Sequence, residues 1–232
     1  MNKKFAIFLM TAMTWGCGSA PPTTTSSSSP LTNARSAAPA RPADSASPRG
    51  GALKPGWTEV KSNDGKLKMA VPPDWIVANS DNPKFKAAMA ELTKTNPALA
   101  NADTKNYYFM TISSKPQDGF SDNANVVKKA VAQTLPFNDD TAKALKAELV
   151  KAMPVQGDLK IEVTKIPFGP AFRYEAELKF NTGKATLNIY VVAYLVFQGT
   201  DMYITTFSTT PKNNATFLEV AKTAMDSFTI TP

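Results

Sequence analysis

Leu159-Lys160-Ile161-Glu162-Val163-Thr164 alternates apolar and polar side chains, and Phe172-Arg173-Tyr174-Glu175-Ala176-Glu177-Leu178-Lys179-Phe180 continues the same alternation. A period of two sends successive side chains to opposite faces, so both stretches read as strands with one apolar and one polar face. Asn181-Thr182-Gly183-Lys184 then supplies turn residues. From Ala185 to Gln198 the pattern changes: after Ile189 both faces are apolar, as in a strand at the centre of a sheet. Gly199-Thr200-Asp201 turns the chain once more into a strand from Met202 to Thr209. Such a meander predicts a mainly antiparallel sheet and an α+β fold.

Working toward the N-terminus, Trp57-Thr58-Glu59-Val60 and Lys66-Leu67-Lys68-Met69-Ala70-Val71 flank Ser62-Asn63-Asp64-Gly65. Asp-Gly between two such runs is a hairpin signal. Pro72-Pro73 ends the second strand because neither residue can donate to a ladder, and Trp75-Ile76-Val77 follows as a short strand. Asn82-Pro83 starts a helix, with Phe85, Met89 and Leu92 on one face and Asn96-Pro97 as its stop. A strand is expected from Asn106 to Ser113. Two helices are expected next. One runs from Asp122 to Gln133 with Val127, Ala130 and Val131 inward, the other from Asp139 to Lys151 with Ala142, Leu145 and Leu149 on its apolar stripe. A closing helix from Asn214 carries Phe217, Ala221, Ala224 and Phe228.

The first 55 residues are of another kind. Met1 to Lys4 is positively charged, and Phe5 to Met13 is apolar but far short of the roughly 20 residues needed to span a bilayer. Together they fit a signal peptide over residues 1–16. Thr14-Trp15-Gly16-Cys17 resembles the lipobox of bacterial lipoproteins, in which the cysteine is acylated and becomes the mature N-terminus. Thr14 and Trp15 depart from that motif, which usually has Leu and a small residue there. Ordinary secretory cleavage near Gly18 or Ala20 is the rival reading, disfavoured at Ala20 by the following Pro21. The lipobox resemblance implies lipid on Cys17, attachment to the cell membrane, and, with Gly18 rather than Asp next, the outer membrane where two exist. Residues 17–55 are rich in Pro, Ser, Thr and Ala, including the run Ser26–Ser29. They are expected to be a disordered linker, because they offer too little apolar surface to offset the entropy of ordering. A single α+β domain is expected over residues 56–232.

Composition narrows the function. The net charge of +7 suggests nucleic acid, but from Gly56 onward there are 20 basic and 18 acidic residues. The only adjacent basic pair there is Lys128-Lys129. A nucleic-acid reader carries a basic stripe on its folded face, so none is assigned as a partner. The chain has one cysteine and no histidine, which removes intrachain disulfides, Cys/His zinc sites and histidine-activated nucleophiles. No catalytic residue, metal ligand or cofactor is assigned.

Glu175 and Glu177 share a strand face with Arg173 and Lys179, a carboxylate pair a hydrolase could use; a solvated face of mutually supporting charges is the simpler account. Asn138-Asp139-Asp140 and Ser121-Asp122 read as helix caps rather than cation ligands. Tyr107-Tyr108-Phe109-Met110 reads as a strand buried on both faces rather than an aromatic binding surface, and Trp57 and Trp75 as core. Asn214-Ala215-Thr216 matches a glycosylation sequon but is better taken as a helix start.

Val71-Pro72-Pro73-Asp74-Trp75, together with the strand Tyr203 to Phe207, the helix after it and Met225-Asp226-Ser227-Phe228, resembles the Mog1/PsbP-like superfamily over most of residues 57–230. The resemblance implies an α/β/α sandwich around a central antiparallel sheet and a mostly non-catalytic role. The expectation is therefore a membrane-anchored lipoprotein whose domain is a binding or accessory module of the cell envelope, with an envelope protein as partner. The alternatives are a carboxylate-dependent envelope hydrolase and a purely structural envelope protein.

Overall fold

A computed structural model describes residues 53–78, 82–95, 107–116, 120–181 and 186–231. Signal peptide, Cys17, most of the linker, Asn96-Pro97, Asn106 and the turn at residues 182–184 lie outside them, as does the side chain of Leu92.

The described chain builds two antiparallel sheets and three α-helices. β1 (Thr58–Lys61), β2 (Leu67–Val71) and β10 (Thr229–Ile230) form a small sheet in the order β1-β2-β10. β3 (Trp75–Val77), β4 (Phe109–Ser113), β5 (Asn123–Ala130), β6 (Val155–Ile166), β7 (Gly169–Asn181), β8 (Thr186–Gln198) and β9 (Asp201–Thr209) form the large one, ordered β3-β4-β5-β9-β8-β7-β6. The helices are α1 (Pro83–Thr95), α2 (Asp139–Ala152) and α3 (Asn214–Asp226).

The meander emerges as expected. Phe172↔Leu195, Arg173↔Tyr194 and Tyr174↔Ala193 set the register between β7 and β8, and Val192↔Phe207 sets that between β8 and β9. Ile189 to Val196 is buried throughout, because helices cover both faces of the sheet.

On one face Ala124, Val126, Val192, Tyr194, Tyr203 and Phe207 form a cluster with Leu67 and Met69 of the small sheet and with Phe217, Ala221, Ala224 and Met225 of α3. On the other face Tyr174, Leu178, Leu195 and Ile204 pack under Ala142, Leu145 and Leu149 of α2. Phe85 and Ala88 of α1 cover Met110 and Ile112. The register Met110↔Asn125↔Thr206 places α1 on the same side as α2. Burial of each large side chain contributes about 1.5–3 kcal/mol, so the three helices are held chiefly by these stripes. The result is an α/β/α sandwich around an antiparallel sheet, as the resemblance implied.

One expected helix is absent. Asn123–Ala130 of that stretch forms β5 instead, with Ala124 and Val126 facing the α3 side, while the register turns Asn125 and Val127 to the other. Ala130, expected inward, is exposed. Stiff Val126-Val127 favours the extended chain, and β4 and β9 on either side satisfy the backbone of β5. A short apolar run fits either period, and pairing decided it. The Ser121-Asp122 helix cap falls with that helix. Ser121 Oγ instead donates to the Ser113 carbonyl at 2.6 Å, and the Asp122 carboxylate accepts from Thr209 Oγ1 at 2.7 Å.

Candidate functional site

Four segments meet at one end of the large sheet. The first is the hairpin turn before β2. Gly65 takes φ +69°, which side chains with a Cβ rarely adopt. The turn leaves Asp64 accepting from Ser62 Oγ at 2.6 Å and from the Lys66 N–H at 3.1 Å. The second is Tyr107-Tyr108, just before β4. The Tyr108 N–H donates to the Val126 carbonyl at 2.8 Å, and its hydroxyl donates to Asp64 Oδ2 at 2.5 Å. That bond ties the small sheet to the large one.

The third segment is Lys128-Lys129-Ala130, where β5 outruns its cover, and the fourth is Asp201 at the start of β9. Register sets Lys128 opposite Tyr203. Its ammonium pairs with Asp201 at 2.9 Å and lies 5.7 Å from the ring centres of both Tyr108 and Tyr203. Those two rings meet edge to face at 6.0 Å. A cation over aromatic faces and beside a carboxylate is held by both attractions. Between these segments lies an open cleft of about 590 Å³ lined by Asn63, Asp64, Tyr107, Tyr108, Lys128, Lys129, Ala130 and Asp201.

The electrostatics follow from the contacts. Hydrogen bonds from Ser62 and Tyr108 hold the Asp64 carboxyl down at about 2. Burial, reinforced by the bond to Asp64, pushes the Tyr108 phenol up to about 12. The bond to Asp201 raises Lys128, whereas burial lowers Lys129. The cleft wall thus brings together two lysines, two aspartates and two tyrosines. Among the described residues no three His, Cys, Asp or Glu side chains gather as a metal site would require.

The residues singled out from sequence fall elsewhere or take other roles. Glu175 and Glu177 do share a face of β7, but Glu175 is not solvated: its side chain is 13% exposed and that of Arg173 16%. Arg173 Nη2 lies 3.0 Å from Glu175 Oε1 and 3.1 Å from Glu162, while the Tyr190 hydroxyl donates to Glu175 Oε2 at 2.8 Å. Both oxygens of Glu175 are thus engaged, and the group is a locked network rather than an acid–base pair. Asn138 caps α2 by accepting from the Thr141 N–H at 2.9 Å, with Asp139 and Asp140 in the first turn. Trp75 is core, its ring 6.2 Å from that of Phe217. Trp57 is half-buried under the Lys54 amine. Asn214 begins α3.

Tyr107-Tyr108, expected to be buried in a strand, and Lys128-Lys129, given no role, line the cleft together. Phe109 and Met110 are buried as expected, but the two tyrosines before them are only half-buried and wall the cleft. The signal was present in two pieces, an aromatic pair at a strand's start and a lone basic pair after Val126-Val127. Nothing in sequence spacing joined them.

No family model matches the sequence, and no curated protein matches it. Solved structures do resemble it. Mog1p, a Ran-binding protein of Saccharomyces cerevisiae, is 9% identical and aligns over 75% of this chain and 95% of its own, with a TM-score of 0.47. Cyanobacterial PsbP of Synechocystis is 12% identical over 78% of this chain and 96% of its own, with a TM-score of 0.45. LpqN of Mycobacterium tuberculosis, which is involved in cell envelope biogenesis, is 11% identical over 76% and 91%, with a TM-score of 0.41. The likeness is one of architecture, an antiparallel sheet with helices, which this chain has by its own topology.

Proposed function

We propose that this chain is a non-enzymatic binding or accessory module of the cell envelope, exported and held to the membrane by lipid on Cys17. In this account residues 1–16 are the signal peptide, residues 17–55 are the spacer and residues 56–232 are the working domain. The observation that carries the binding role is the cleft at the end of the large sheet. Its aromatic and charged walls are fixed in place by the contacts among Asp64, Tyr108, Lys128 and Asp201. Groups locked in this way lose little freedom when a ligand arrives. They are poor candidates for acid–base work, which needs a group poised near the working pH: Asp64 sits near 2 and Tyr108 near 12.

The anchor reading rests on Thr14-Trp15-Gly16-Cys17 and the apolar run before it. As a flexible coil the spacer would reach roughly 35 Å from the membrane, and extended it would reach about 120 Å.

The test is a pair of variants in the native host. Deleting residues 23–50 should impair the chain's envelope phenotype while leaving the domain folded, and Lys129→Glu with Tyr107→Ala should impair it with the spacer intact. A wild-type phenotype in both variants would sink the proposal.

A further inference from the structure

We infer that the cleft takes a neutral, polyhydroxylated ligand, a saccharide unit of a glycan chain; this rests on the binding-module reading above. Charge balance comes first. Lys128, Lys129, Asp64 and Asp201 all line the cleft, with Lys128 paired to Asp201 at 2.9 Å, so its walls carry no net charge and set up no field selecting an anion or a cation. A phosphate or nucleic-acid ligand would meet two carboxylates, and a polyamine would meet two ammonium groups.

Hydrogen-bonding type comes second. An ammonium only donates and a carboxylate only accepts, whereas a hydroxyl does both. Neighbouring hydroxyls on one ring can accept from a lysine and donate to an aspartate together, with Asn63 offering an amide that does either. An apolar ligand would strand these groups at the cost of their hydration. A charged ligand would have to compete with the 2.9 Å pair between Lys128 and Asp201.

The rings and the shape complete the argument. Tyr107 and Tyr108 stand in the wall, and the negative face of a phenol ring favours the polarised C–H groups on the flat side of a sugar. A volume of about 590 Å³ falls within the range of small-ligand sites and has room for one or two sugar rings. The cleft is open rather than enclosed, so a chain can continue past it. Tyr108 is held in place by its bonds to Asp64 and to the Val126 carbonyl, with the Lys128 ammonium 5.7 Å from its ring centre, so this wall is set before a ligand arrives.

The experiment uses the full chain carrying Cys17→Ser, ¹⁵N-labelled. It is titrated with soluble trimers of glucose, galactose, mannose and N-acetylglucosamine and followed by amide chemical shifts. Expected are saturable shifts from at least one trimer at residues 63–65, 107–108, 128–130 and 201. Tyr108→Ala should lower that affinity by about tenfold, while Tyr108→Phe, which keeps the ring, should hold it within about threefold. Tyr107→Ala serves as the second ring variant should Tyr108→Ala fail to fold. Because the ligand is neutral, raising salt from 50 to 500 mM should change affinity by less than about twofold.

Absence of saturable binding by all four trimers overturns the inference, as do saturable shifts confined to the Arg173–Glu175 face. Saturable binding of the peptide Ala-Glu-Lys-Ala at the cleft, with no sugar bound, overturns the ligand class and leaves the binding-module reading standing. That reading fails separately, on the phenotype of the spacer and cleft variants.

Discussion

Replacing Asp64 with Asn tests whether the hairpin turn is clasped to the large sheet through its charge. In the native chain the carboxylate accepts from Ser62 Oγ, the Lys66 N–H and the Tyr108 hydroxyl. These bonds lower its carboxyl from 3.8 to about 2, a difference worth roughly 2.5 kcal/mol by linkage. Asp64 is exposed, so solvent screening brings the expected loss at pH 7 to about 1 kcal/mol. Because the folded-state value is depressed, the contribution is complete above 3.8 and disappears as pH falls through about 2. At pH 3 the gap between wild type and Asp64→Asn should be about half its neutral value. Tyr108 has the opposite sign. Its phenol is raised from 10 to about 12, so its share is complete below 10 and is lost as pH rises through about 12. The assay is urea unfolding of wild type, Asp64→Asn, Tyr108→Phe and the double variant at pH 7, 4 and 3. The cycle should return a coupling of about 0.5–1.5 kcal/mol. A gap unchanged between pH 7 and pH 3, or strictly additive single variants, would refute the clasp.

Three further outcomes are expected. Leu149→Ala should cost about 2–5 kcal/mol in thermal or urea unfolding because the side chain is buried between α2 and the large sheet, whereas Val150→Ala, 49% exposed, should cost under about 0.5. Arg173→Ala should cost about 3 kcal/mol, since it strands the largely buried Glu175 carboxylate, while Lys94→Ala, whose partner pair is exposed, should be nearly silent in the same unfolding assay. Asn138→Ala should remove the cap of α2 and lower stability by about 1 kcal/mol, with Asn138→Asp restoring most of it.

The sequence carried the fold further than it carried the site. Alternation over Leu159–Thr164 and Phe172–Phe180 is a local property, and Asp64-Gly65 and Asn82-Pro83 are local punctuation. Each survived folding because tertiary contacts agreed with it. β5 did not announce itself, because Asn123 to Ala130 contains too few apolar residues to choose between periods. Its state depended on pairing with β4, which ends at Ser113, and with β9, which begins only at Asp201. β10 is two residues long, and its pairing with Lys68 and Leu67 leaves no pattern to detect.

The cleft was hidden for the same reason at a larger scale. Asp64, Tyr108, Lys128 and Asp201 come from four separate segments, and only the sheet register brings them within bonding distance. The carboxylates that stood out in sequence, Glu175 and Glu177, did so because alternation exposes them to the eye. The structure instead gives Glu175 a guanidinium and a phenol as fixed partners.

The most direct test of the account is the intact mass of the chain purified from membranes, beside a Cys17→Ser variant. The account predicts a mature N-terminus at Cys17 carrying added acyl mass, and loss of both that mass and membrane association in the variant. A chain cleaved beyond Cys17 and free of lipid would contradict it, leaving an exported domain with a cleft but no tether.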